Sequence, residues 1–138
     1  MTKWAKSLIR LSSYEVETLQ KRLSEIVSRR NSVELRLTAL EAEAAVEVQR
    51  AQLEPAFAGH LGAYLSGVKH RKSALQADID VISTEERGAR EALAKAFEER
   101  KKFEQVAELT RLQDLAKETK LENAALDELA LRQAAAGA

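Results

Sequence analysis

Apolar residues recur along the first third of the chain at alternating steps of three and four. Ile9, Ser12, Val16, Leu19, Leu23, Ile26, Arg30, Val33, Leu37, Leu40 and Ala44 fall on that pattern, and only Ser12 and Arg30 are polar. The positions between them are mostly Arg, Lys, Glu, Gln and Ser. A seam sustained over several heptads with polar intervening positions predicts a coiled-coil helix, here over residues 1–54, a stretch with no proline or glycine.

Pro55 lacks an N–H and clashes with the preceding turn, so it ends that helix. Gly59, Gly62 and Gly67 follow closely, and the turn is expected at 55–62. A second seam then runs through Leu75, Ile79, Ile82, Glu86, Ala89, Leu93, Ala96, Arg100, Phe103 and Ala107. Ser83 and Glu86 have the spacing of a capping box and Gly88 lowers helix propensity, yet the seam keeps phase across them. One continuous second helix is expected over 63–134, with a frayed tail at 135–138.

The two seams can be registered against each other. If the chain folds back antiparallel about residue 58, the numbers of facing seam residues sum to 115 or 116. Leu37 then meets Ile79, Leu40 meets Leu75, Ile26 meets Ala89, Leu23 meets Leu93 and Leu19 meets Ala96. Arg30 and Glu86, each a charge interrupting its seam, meet each other, which avoids the cost of burying either alone. Val16 opposite Arg100 is the poorest match. In this register the first helix stops covering the second near residue 112, where the old seam turns polar at Thr110, Asp114 and Lys117. A new stripe opens there through Leu112, Leu115, Leu126 and Leu129. The expected fold is all-α: a long two-helix antiparallel coiled-coil hairpin forming a single domain, with an overhanging C-terminal helix over 113–134.

Composition agrees. The chain has 138 residues, is 45% hydrophobic and 32% charged but only 4% aromatic, so a large globular core is excluded and a long helical assembly favoured. Lys and Arg number 22, as do Asp and Glu, a balance that gives no support to a nucleic-acid or anionic-membrane binder. The charge is unevenly placed, however. Residues 1–36 carry eight basic and four acidic side chains, and residues 76–138 carry ten basic and fourteen acidic. Arms of opposite sign favour a hairpin over two parallel copies of either arm. With no cysteine there is no disulfide framework or thiolate site. No secretory signal and no apolar run of about 20 residues occurs, so the reading is a soluble, cytoplasmic protein.

Candidate chemistry is sparse. There is no phosphate loop, no nucleophile elbow and no pair of histidines four residues apart, and His60 and His70 fall on different helix faces. No enzyme activity, cofactor or metal is expected. The basic run Arg100-Lys101-Lys102 sits among Glu98, Glu99 and Glu104, as a solvated face or a docking surface. Trp4, Tyr14, Phe57 and Tyr64 lie outside both seams, where aromatics suit partner contacts or, for Phe57 and Tyr64, closure of the tip.

Three segments carry a likeness to a known family: Ala63-Tyr64-Leu65, Glu99 to Val106 (ERKKFEQV) and Ala125 to Arg132 (ALDELALR), set in a hairpin that starts at the N-terminus. On these the chain resembles the FliJ family, coiled-coil proteins of the bacterial flagellar type III export apparatus. The resemblance implies a non-enzymatic stalk in the hexameric export ATPase, linked to the export gate and export chaperones, cytoplasmic and peripheral at the inner-membrane apparatus, and serving motility and chemotaxis. It implies that Lys101, Lys102, Glu104, Asp127, Glu128 and Arg132 contact the ATPase or gate. It further implies that Tyr64 and Val68 form an exposed chaperone patch, although Glu43 and Glu47 of the first helix face that region. A lone chain is expected to be monomeric. The competing reading is a coiled-coil scaffold without an ATPase link, or an adaptor of a virulence-type secretion system.

Overall fold

The computed structural model describes residues 3–137. Helix α1 spans Lys3–Leu53, a single 3-10 turn spans Pro55–Phe57, and helix α2 spans Ala58–Ala136. Among the described residues there is no strand. The two long helices pack on each other as a helical hairpin. By contact density the chain divides into two compact units, Glu17–Ala94 and a second comprising the start of α1 through Val16 with α2 from Lys95 onward.

The Glu17–Ala94 unit contains the turn. Steric pressure from Pro55 drives the residue before it out of the helical region, and Glu54 is extended at φ −126°, ψ 105°. The chain resumes at once: the Phe57 N–H donates to the Glu54 carbonyl at 3.1 Å, and α2 begins at the next residue. The turn is therefore shorter than the 55–62 expected. Gly59 and Gly62 lie inside α2, and no described residue has positive φ, because Pro55 redirects the chain without them.

Within this unit Ile26, Ile82 and Ala89 form a buried cluster, with Leu23 and Val33 packed against it. Every seam position expected here is buried or half-buried. The register is the expected one. Arg30 pairs with Glu86 across the interface, their side chains 26% and 13% exposed, and Arg29 pairs with Glu85 at 3.0 Å. Glu86 also accepts from Arg90 at 3.4 Å, and Glu34 lies 3.7 Å from the Arg30 Nε, which makes no hydrogen bond. Lys72 interrupts the second seam and resolves its charge by reaching Glu41 at 3.2 Å.

Helix α2 continues through Ser83–Glu86 and Gly88 without a restart. A Cβ built on Gly88 meets nothing within 4 Å. Replacing Gly88 with alanine should thus raise stability by about 1 kcal/mol, measured as a higher urea midpoint with unchanged slope.

In the other unit Ala5, Ser12 and Val16 of α1 are buried, as are Ala96 and Ala107 of α2. Arg100 sits in the seam but does not bury its charge. Its guanidinium lies 5.2 Å from the Phe97 ring centre and 3.7 Å from Glu104, partners of its own helix that accommodate the charge beside the seam. Coverage of α2 ends at Thr110. From Arg111 to Gly137 every residue is exposed, so α2 overhangs as the register required. The helix runs to Ala136, and the Gly137 N–H closes it onto the Gln133 carbonyl at 2.9 Å; Ala138 lies outside the described residues.

Candidate partner-binding surfaces

The overhang carries the largest run of exposed leucines. Leu112, Leu115, Leu126 and Leu129 follow one stripe, as the sequence indicates, and all are at least 46% exposed. The sequence stripe omits two further leucines, Leu121 and Leu131, which are 70% and 72% exposed and fall on other faces at 100° per residue. A helix with leucines on several faces suits enclosure by a partner on more than one side, whereas a helix lying on a flat surface needs only one apolar stripe. The signal for this was available in the angular positions of residues 121 and 131.

The six residues expected at the ATPase or gate do not form one patch. Lys101 and Lys102 are exposed and make no ion pair with any described residue. Glu104 is engaged by Arg100. Asp127 borders the leucine stripe, close in helical angle to Leu112. Glu128 and Arg132 lie on the far side and pair with each other at 3.0 Å. Nearer the covered part, the Arg111 hydrogen bond holds the Glu108 carboxyl below its usual pKa. That pair is lost only as pH falls through the lowered value.

The chaperone patch needs correction. Val68 is 6% exposed, in the seam against α1, and cannot offer its side chain to a partner while the hairpin is closed. It lies seven residues before Leu75, in the same heptad position. Tyr64 is half-buried, and Glu47 on α1 is tied to Arg50 at 3.6 Å. The other aromatics divide. Phe57 lies 5.7 Å under the Arg50 guanidinium at the tip, while Trp4 is 52% and Tyr14 68% exposed.

Among the described residues no group of three His, Cys, Asp or Glu converges to hold a metal ion, and no helix is long and apolar enough to cross a membrane.

The sequence model of the family described as Flagellar FliJ protein matches residues 6–138. The chain belongs to the FliJ family. Flagellar FliJ proteins from two Caulobacter vibrioides strains, NA1000/CB15N and ATCC 19089/CIP 103742/CB 15, are each 47% identical to it over 137 residues, covering 99% of both chains. No solved structure matches. FliJ membership makes the chain a flagellar export component with protein partners in the export apparatus.

Proposed function

We propose that this FliJ-family chain is a non-enzymatic stalk of the hexameric flagellar export ATPase, linking it to the export gate and to export chaperones. The observation that carries the reading is the overhang, an uncovered helix from Arg111 with exposed leucines on several faces. Such a helix matches the lumen of a ring, where protein surrounds it.

The mechanism is mechanical. A single helix inside a ring cannot contact every subunit alike, so its contacts differ from subunit to subunit. Those differences bias the subunits' nucleotide states, which is all a non-catalytic partner can do. The work is cytoplasmic, at the inner-membrane apparatus, and supports motility. Asp127, Glu128 and Arg132 meet the ring with the leucines. Lys101, Lys102 and Glu104 lie where the hairpin is still paired and meet the ring mouth or the gate. Tyr64 is left as the accessible member of the chaperone pair.

Replacing Lys101 and Lys102 with glutamate should leave helical circular dichroism and the melting midpoint unchanged, because both side chains are exposed and unpaired. It should weaken co-elution with the ATPase or the gate at least about tenfold, a loss of about 1.4 kcal/mol. Undiminished binding to both would remove the lysines from the interface. The stalk itself is tested by a chain ending at Arg111: it should keep its hairpin and lose co-elution with the ATPase hexamer. Retained co-elution would move the contact elsewhere on the chain.

A further inference from the structure

The side of α1 that faces away from α2 changes character at Leu35. Over residues 18–32 the heptad positions of that outer face carry Lys21 and Glu25 among Thr18, Ser28 and Ser32, as a solvated surface should. From Leu35 to Leu53 it carries no charge. Its stripe is Leu35, Ala39, Ala42, Val46, Gln49 and Leu53, a second set of three- and four-residue steps on the opposite side from the seam. All six are exposed, Leu35 at 70% and Leu53 at 83%. The stripe runs for about 27 Å at helical rise. The helix pairing within the Glu17–Ala94 unit does not use this face, and nothing in the tip requires it to be apolar.

The flank of the stripe says what covers it. On one side Thr38, Ala45 and Gln52 are neutral. On the other, Arg36, Glu43 and Arg50 repeat at seven-residue steps with alternating sign. Neither Arg36 nor Glu43 makes an ion pair with a described residue, although Arg29, one heptad earlier, pairs with Glu85 at 3.0 Å. Beside them a shallow groove opens between the helices, floored by Leu40 and Leu75. A second copy of the chain is a poor occupant. Laid antiparallel with the leucines matched, it sets Arg36 against Arg50 and Glu43 against Glu43, like charges throughout. Laid parallel, it sets these charges against Thr38, Ala45 and Gln52.

We propose that the outer face of α1 over 35–53 docks an amphipathic helix of a protein partner, one whose apolar heptads are flanked by an acidic, a basic and an acidic residue at seven-residue steps. Apolar stripes give such contacts their affinity, and flanking charges give them orientation and partner choice. The proposal is independent of the stalk reading, since the face is remote in sequence from the overhang.

The test is site-specific photocrosslinking in the full-length chain, in cells that export flagellar proteins. One crosslinker replaces Ala42 on the neutral stretch; a second replaces Ser28, the equivalent heptad position on the polar stretch. The expected result is at least a tenfold excess of adduct from position 42, mapping to a partner segment with the stated charge pattern. That adduct should be lost in R36E and in V46E while helicity and the adduct-free melting profile stay native. A chain–chain adduct, equal yields at both positions, no adduct at 42, or a partner segment lacking the acidic-basic-acidic flank would each overturn the assignment.

Discussion

Truncating Glu86 to alanine should cost about 3 kcal/mol of unfolding free energy, a large share of what a chain of this kind has. The loss comes less from the missing attraction than from what remains: Arg30 stays in the seam with its carboxylate gone. Its Nε already lacks a hydrogen bond, and Glu34 at 3.7 Å is a weak substitute. The figure sits at the low end for buried pairs because both side chains keep some contact with water. Replacing Arg30 and Glu86 together with leucine removes both charges from the seam, and stability should return to within about 1 kcal/mol of native or exceed it. The double variant should also lose selectivity, with dimers appearing in sedimentation, since the charge layer is what marks one register and one partner arm. Urea unfolding followed by helical circular dichroism decides the matter. A double variant as unstable as the single one would mean that the pair supplies net stability as well as register.

Replacing Leu112 and Leu115 with glutamate, together with Leu126 and Leu129, should abolish binding to the export ATPase ring. The hairpin should melt as before, because all four side chains lie beyond the last α2 residue that α1 covers. Charged side chains in a protein-lined lumen meet no compensating partner, so a loss of at least about a hundredfold is expected, or about 2.7 kcal/mol. Analytical gel filtration of the ring with native and variant chains measures it. A companion variant with Leu121 and Leu131 changed to glutamate separates enclosure from one-sided docking: only a helix surrounded by protein should be weakened there too.

Much of the hairpin is legible in the sequence because two independent constraints agree. The heptad steps fix which residues turn inward. The two intruding charges, Arg30 and Glu86, then fix the register, since only one alignment lets each neutralise the other. The end of coverage follows from that register, and Thr110 marks it in the structure. What was hidden has local causes. Glycine both breaks helices and is tolerated in them, so Gly59 and Gly62 could not mark the turn; Pro55 alone does so. Lys72 occupies a seam position and masks the continuation of the seam back to Val68, which is why a buried valine read as part of an exposed patch. The candidate contact residues follow linear motifs, and a motif along a helix wraps around it. Glu128 and Arg132 therefore face away from the leucine stripe that Asp127 borders.

The measurement that bears most directly on the account is the ATP hydrolysis rate of the cognate flagellar export ATPase as the full-length chain is added. A stalk should give saturable stimulation that reaches its plateau near one chain per ring and is lost when the chain ends at Arg111. Stimulation that survives that truncation, or a rate indifferent to the native chain, would contradict the stalk.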